Sequence, residues 1–384
     1  MNEIILPNYI NFGAGSVKNI VSVLEKLKCK RPLVITDNIL VKLKVVNSLE
    51  DALTSKKIIY KIYKDTIPEP TAASIMAGVE LIKNNSFDSI IAFGGGSPID
   101  SAKAMSVLAK YGGKIKDYKF PRIISQKGLP IIAIPTTAGT GSEVTKFTII
   151  TDEKTDEKML CVGSAFMPVA AIIDYELTLS LPKRTTADTG IDALTHALEA
   201  YVSKKSNLFS NTQAISAMKL ITPNLRTVFK EPKNIEAREK LMMGATLAGM
   251  AFSNSSVALV HGMSRPIGAF YHVPHGLSNA MLLPIVTEFS LPSAPKKYSE
   301  CSIAMGIASE NDSIEIANKK LITELKSLNE DLEVPTPLKY GINKNAFFNN
   351  LDTMAMQAIN SGSPSNNPIV PTLEEIKLLY KKLW

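Results

Sequence analysis

The sequence predicts an α/β domain with a parallel sheet, followed by an all-helical domain. Three observations predict it. The first half alternates short apolar, β-rich runs with stretches of helical spacing. Glycine-rich loops follow two of those runs. Beyond Leu181-Pro182-Lys183 the strand signals nearly vanish and long helical segments take over. The boundary therefore falls at about residue 182, giving domains 1–182 and 183–384. A chain of 384 residues is long enough for two separate cores.

In order, the strands expected are 33–36, 58–63, 89–93 and 130–134, with helices at 71–84 and 98–110 between them. Such alternation implies βαβ units, which bind ligands at the carboxyl ends of the strands. A less regular β-rich stretch covers 147–173. Helices at 187–203, 208–229 and 235–251 open the second domain.

Composition narrows the function classes. Apolar residues make up 45% and charged residues 21%, as in ordinary globular chains. No window approaches the roughly 18 uninterrupted apolar residues of a membrane helix. The start, MNEIILPNYINFGAGS, does not read as a signal peptide. The three cysteines, Cys29, Cys161 and Cys301, are odd in number and far apart, which argues against disulfides and thiolate zinc sites. A cytoplasmic location follows as the expectation. The net charge is +7, but the lysine pairs are scattered, so a solvated surface is expected and not a nucleic-acid face.

Ser89-Ile90-Ile91-Ala92-Phe93 runs into Gly94-Gly95-Gly96-Ser97-Pro98-Ile99-Asp100. Ser97 suits an N-cap, Pro98 the first helical position and Asp100 the far side of a capping box. A helix starting here would aim its amides at an anion. Pro135-Thr136-Thr137-Ala138-Gly139-Thr140-Gly141-Ser142-Glu143 follows the next strand with hydroxyls and glycines at the same sheet edge. Two such loops suggest a dinucleotide cleft. The strand at 33–36 ends in Thr36-Asp37-Asn38. A carboxylate there would hold an adenosine ribose and repel a 2'-phosphate, favouring NAD over NADP. Asp37 could equally be a helix cap.

All four histidines fall between His196 and His275. Asp192 and His196 share one helical face at i and i+4, and Asp188, one turn earlier, is a competing carboxylate. His261 and His275 would stand roughly 21 Å apart on one helix, so the chain must turn back between them, at Gly268 or Pro274. One carboxylate with three imidazoles suits Fe2+ or Zn2+, whereas Ca2+ and Mg2+ take oxygen.

These segments match a known family. Phe12-Gly13-Ala14-Gly15, GGGSPIDSAKA from Gly94, PTTAGTGSEVT from Pro135, GIDALTHALEAY from Gly190 and HGMSRPIGAFYHVPHGLSNA from His261 resemble, in order, the iron-containing (group III) alcohol dehydrogenases. These belong with glycerol dehydrogenase and dehydroquinate synthase in a dehydroquinate synthase-like superfamily. The resemblance implies Asp192, His196, His261 and His275 as metal ligands. It implies Gly95, Gly96 and Ser97 at the pyrophosphate. Thr136, Thr137, Thr140, Thr145, Phe147 and Lys158 fall on the nicotinamide and its ribose, and Asp37 on NAD selection. Asp100 and Leu177 are counted with the cofactor residues, and His261, His275 and His272 with the catalytic ones. It also implies a homodimer or larger assembly.

Two positions depart from the family pattern. Arg265 stands where many members carry a histidine thought to relay protons, so His272 or a water chain would have to serve. Glu69 replaces a frequent Asn in the Pro-x-Pro-Thr element. The activity expected is Fe2+- or Zn2+-dependent, NAD(H)-linked interconversion of small primary alcohols or diols and their aldehydes, with Phe252, Phe270 and Tyr271 as candidate apolar walls. The competing expectations are a polyol or hydroxy-acid dehydrogenase of the same superfamily, a metal- and NAD-dependent lyase of the dehydroquinate synthase type, and a non-catalytic nucleotide or metal sensor.

Overall fold

The structure is a computed structural model that describes residues 3–384. The chain divides into two compact units, Ile5–Ser180 and Leu181–Trp384, the latter also counting the short N-terminal stretch through Ile4.

The first unit is a doubly wound sheet. Its strands are β1 (Tyr9–Phe12), β2 (Pro32–Asp37), β3 (Lys61–Thr66), β4 (Ser89–Gly94), β5 (Ile131–Pro135) and β8 (Ala170–Ile173), in the order β1-β8-β5-β4-β2-β3. Every pairing among them is parallel. β6 (Phe147–Asp152) and β7 (Glu157–Val162) form a separate antiparallel hairpin. The helices are α1 (Ile20–Leu27), α2 (Asn38–Lys42), α3 (Asn47–Ser55), α4 (Met76–Lys83) and α5 (Gly96–Tyr111).

Alternation along each strand feeds two cores. Leu33, Ile35, Ile90, Ala92, Ile131 and Ala133 pack with Val79 of α4 and Ile99 and Met105 of α5. Val34, Ile91, Phe93, Ile132, Ile134 and Ile172 pack with Leu24 of α1 and Leu49 of α3. A strand buried on both faces needs no polar residues, which is why these runs are continuously apolar. The chain steps outward from β2 to β3, then crosses back to β4 beside β2, so the winding reverses between β2 and β4. That switch point is where open α/β sheets bind ligands. With Ile35 opposite Ala92, the strand ends bearing Asp37 and Gly94 come level there.

Three expected elements start elsewhere: the helix expected at 187 begins at Lys183, directly after Pro182, and two elements of the first unit are shifted for local reasons. β3 begins at Lys61 and not at 58, because the stretch before it closes α3: Lys57 is left-handed (φ 56) and the Ile58 amide donates to the Leu53 carbonyl. α4 begins at Met76 and not at 71. Thr71 and Ser74 form a side-chain-to-backbone turn first, and the Ala72 amide donates to Thr151 of the hairpin.

The second unit is helical among its described residues. α6 (Lys183–Val202), α7 (Leu208–Lys230), α8 (Ile235–Ser253), α9 (Leu259–Tyr271) and α10 (His275–Ser290) lead, and further helices follow as far as Lys381. α6 starts directly after Pro182. Its long apolar stretch is buried, from Ile191, Leu194 and Leu198 onward, which fixes the orientation of its polar residues.

Candidate metal centre and cofactor loops

In the helical unit, Asp192, His196, His261 and His275 converge. One ligand atom from each lies within 4.8 Å of all the others. Asp192 Oδ1 is 3.9 Å from His196 Nε2, 3.6 Å from His261 Nε2 and 3.7 Å from His275 Nε2. Ligands about 2.1 Å from one tetrahedral ion stand about 3.4 Å apart, so this spacing suits a single divalent cation. The Asn279 amide supports the fit: Nδ2 lies 2.7 Å from Asp192 Oδ1, 3.2 Å from His261 Nε2 and 3.3 Å from His275 Nε2. Three acceptors thus converge on one amide nitrogen with only two N–H groups, an excess of lone pairs that a cation would satisfy. Asp192, His196 and His261 are buried and His275 is half-buried.

Local structure explains the convergence. Asp192, His196 and Glu199 lie at i, i+4 and i+7 on α6. α9 runs on past Gly268, contrary to the expected stop there, and ends at Tyr271. His272 takes the left-handed cap position (φ 52) that glycine usually fills, and α10 starts three residues later on His275. Gly276 then lets α10 approach α6: a Cβ there would lie 2.3 Å from the Asp188 carbonyl oxygen and 3.3 Å from Asp192 Cβ. Asp188 itself is tied to Arg184, whose Nε donates to Oδ1 at 2.8 Å, so it does not compete as a ligand. His272 is exposed and stands outside the cluster, and its carbonyl accepts from the Tyr340 hydroxyl. The histidine offered as an alternative proton carrier is therefore not among the residues brought together. Phe252 stacks on the His196 ring, centroids 4.2 Å apart, whereas Tyr271 stacks on Phe347, centroids 5.4 Å apart. Phe270 lies beside Tyr271, with ring centroids 6.3 Å apart.

Glu199 and Asn279 were missed in the sequence, although both follow helical spacing from a ligand: Glu199 is three residues after His196 and Asn279 four after His275. The Glu199 carboxylate accepts from the Ala258 and Val260 amides at 2.8 and 2.6 Å and from His261 Nδ1 at 2.7 Å. It caps α9 and fixes the tautomer that turns Nε2 toward the other ligands. Replacing it as Glu199→Gln is expected to weaken metal binding about 10- to 100-fold. A competition titration with a chromogenic chelator measures this, and unchanged affinity would refute the orienting role.

The charges of the site also set its response to pH. Burial alone would raise the Asp192 pKa, but the His196, His275 and His261 imidazoles outweigh it and hold this carboxyl well below the usual range. Burial alone would lower the His261 pKa, but Asp192 and Glu199 outweigh it and push this imidazole up from 6.5. In metal-free protein, the His261 contribution to stability is whole below pH 6.5 and lost as pH rises through the raised value. Asp192 contributes above 3.8 and loses its effect only in strong acid. A cation needs neutral imidazoles, so its affinity runs the opposite way. From about pH 6 to about pH 7.5, below the range in which the depressed Lys103 begins to act in the opposite sense, the melting temperature of metal-free protein should fall while metal affinity rises. Parallel trends would contradict this assignment.

In the α/β unit the two glycine-bearing loops touch. Gly95 caps α5 and Gly96 is its first residue; a Cβ on Gly96 would lie 2.8 Å from Thr140 Cγ2. The expected capping box does not form. Because Gly95, extended at φ −73 and ψ −163, takes the cap position, the helix starts earlier and Ser97 and Asp100 fall inside it. Ser97 Oγ accepts from the Glu69 amide at 3.2 Å. Asp100 turns away from the helix start: its carboxylate accepts from Ser142 Oγ at 2.7 Å and from the Ile149 amide at 3.0 Å.

Lys103, one turn further on and fully buried, was also missed. Its Nζ donates to Ser142 Oγ, to Thr145 O and Oγ1, and to Phe147 O, at 2.7–3.0 Å. Asp100 and Lys103 together fasten the Ser142–Phe147 segment to α5. Burial lowers the Lys103 pKa to about 8, against the pull of Asp100 and Glu143. Thr140 Oγ1 accepts from the Ser142 amide, and the Thr136 amide donates to Gly94 O; Thr137 lies against Gly95. Lys158 pairs at 2.8 Å with Glu69, which shows what the departure from Asn does: it anchors the hairpin lysine. Asp37 caps α2, Oδ1 accepting from the Leu40 amide at 2.8 Å, so the capping reading of this residue holds in the structure. Leu177 is buried in the core beside α1 and α3.

A parallel sheet whose winding reverses beside the first of two glycine-bearing loops, together with one aspartate and three histidines clustered on three helices, points to the class of metal- and dinucleotide-dependent enzymes. Comparison with known proteins names the family. The model described as "Iron-containing alcohol dehydrogenase" matches residues 7–175, and that described as "Fe-containing alcohol dehydrogenase family, C-terminal" matches residues 186–384. The chain belongs to the iron-containing alcohol dehydrogenase family. Lactaldehyde reductase of Escherichia coli (strain K12) is 34% identical over 392 residues, covering 100% of both chains. A solved 1,3-propanediol oxidoreductase superposes with a TM-score of 0.95 at 32% identity, covering 100% of both. A sulfoacetaldehyde reductase from Bifidobacterium kashiwanohense, solved in complex with NAD+, matches with a TM-score of 0.88 at 28% identity, covering 100% of this chain and 98% of that one.

Proposed function

We propose that the chain is a metal-dependent, NAD(H)-linked alcohol dehydrogenase that interconverts small primary alcohols or diols and their aldehydes, with aldehyde reduction as the working direction. The observation that carries this reading is the convergence of Asp192, His196, His261 and His275 on one cation-sized position. Fe2+ is the ion the family suggests, and the donor set suits Zn2+ as well. A divalent ion held there supplies a Lewis acid that polarises an aldehyde carbonyl and lowers the pKa of an alcohol.

The chain does the rest by positioning. Gly95, Gly96 and Ser97 at the start of α5 offer backbone amides to a pyrophosphate. Asp37, with one oxygen engaged in capping α2, offers the other to an adenosine ribose, and its charge disfavours a 2'-phosphate. Thr136, Thr137, Thr140, Thr145 and Phe147 would line the nicotinamide, with Lys158 held by Glu69 toward its ribose. Asp100 serves through the Ser142 network and Leu177 through the core, so both support the cofactor loops from behind. Hydride transfer belongs to the nicotinamide, and no side chain need act as a nucleophile.

We also infer a cytoplasmic homodimer or larger homo-oligomer. The three cysteines are free and buried, as suits a reducing compartment, and no helix among the described residues is long and apolar enough to cross a membrane. NADH oxidation by anaerobically Fe2+-loaded protein, assayed against short aldehydes including lactaldehyde and butanal, tests the activity. Turnover on at least one of them is expected. Tight binding of metal and NADH without turnover on any would overturn the reading.

A further inference from the structure

Arg265 lies four residues after His261 on α9, so the two share a helical face with about 6 Å of rise between them. The residue is 8% exposed. Its guanidinium carries five N–H donors, yet Nε is enclosed without a hydrogen-bond partner, and no carboxylate among the described residues forms an ion pair with it. The acidic group that acts on it electrostatically, Glu199, is already committed to two amides and to His261 Nδ1. A buried cation without a partner is costly, and a fold does not keep one for packing alone. Other arginines of this unit have acceptors: Arg184 pairs with Asp188, Arg226 with Glu324 and Asp331, and Arg238 donates to Pro232 O and Thr186 Oγ1. Arg184 and Arg238 also leave one Nη2 each without a hydrogen bond, but both have acceptors at their other nitrogens; Arg265 has none, and it stands one turn from His261.

We propose that Arg265 is a substrate-specificity residue that binds the oxyanion of a short aldehyde, a carboxylate or sulfonate a few bonds from the reacting carbonyl. This rests on the metal-centre reading above. The planar fork of a guanidinium pairs with such groups through two parallel hydrogen bonds, which a neutral aldehyde cannot offer. The missing counter-charge then arrives with the substrate. Neutral aldehydes leave the cation unpaired and are disfavoured on that account.

The test compares Fe2+-loaded wild type with Arg265→Met and Arg265→Lys, using the ratio of kcat/KM for 4-oxobutanoate to that for butanal. Sulfoacetaldehyde is a second acidic probe that separates carboxylate from sulfonate. The wild-type ratio should favour an acidic aldehyde about 100-fold, collapse toward unity in Arg265→Met mainly through KM, and fall between the two in Arg265→Lys. Independently of turnover, succinate should raise the melting temperature of wild type but not of Arg265→Met. Because the variant removes an uncompensated charge, its own melting temperature should not fall. An equal ratio in wild type and Arg265→Met, or a variant that unfolds for want of the arginine, would overturn the proposal. If no aldehyde turns over but succinate still stabilises wild type alone, the anion site stands and the dehydrogenase reading fails.

Discussion

Replacing His261 by alanine is expected to lower turnover by at least about 1,000-fold while NADH affinity changes by less than about threefold. The asymmetry follows from where the residues sit. His261 supplies one of the four donor atoms that cluster in the helical unit, and its Nδ1 takes up the third hydrogen bond of Glu199. The two glycine-bearing loops, from Gly94 to Ser97 and from Pro135 to Phe147, belong to the other unit, where Asp100 and Lys103 fasten the Ser142–Phe147 end of the second. Metal content by plasma emission, NADH fluorescence titration and steady-state rates measure the three quantities separately. Loss of NADH affinity in proportion to the rate would refute this division of labour.

Replacing Lys103 by methionine should have the largest effect on the α/β unit. The substitution keeps the chain length and removes the charge, leaving Thr145 O and Phe147 O without their donor and Asp100 without its nearby cation. Breaking a buried ionic network on one side typically costs about 3–5 kcal/mol. Burial penalises the ammonium, as its pKa lowered to about 8 reflects, but removing it leaves the oxygens that accept from it in the same enclosed position without that donor. Urea unfolding should show the loss, and NADH should bind more weakly because Thr140 and Thr145 are no longer held. A variant of unchanged stability would mean that the loop is shaped without Lys103.

The sequence made the layer architecture legible because strands buried on both faces leave continuous apolar runs, as in residues 89–94 and 131–135. The turn between His261 and His275 was legible as a necessity, and Pro274 marks its end as expected, but the stop expected at Gly268 does not occur. His272 ends the helix in a left-handed conformation that glycine usually adopts, which is why the glycine at 268 misled where the proline at 274 did not. The capping box at Ser97 failed for a related reason. Glycine at 95 can take the cap without a side chain, which freed Ser97 and Asp100 for tertiary bonds that no local pattern displays. Glu199 and Asn279 were legible in principle, since each repeats the helical spacing of a ligand. Arg265 was visible only as a departure from a family pattern; its lack of a partner is a property of the fold.

Metal dependence of turnover tests the central claim most directly. Protein stripped with chelator is titrated anaerobically with Fe2+ or Co2+ while aldehyde-dependent NADH oxidation and ion occupancy are followed together. The account predicts no turnover without the ion, and turnover that rises in proportion to occupancy and levels off at one ion per chain. Undiminished turnover in the stripped protein would contradict it.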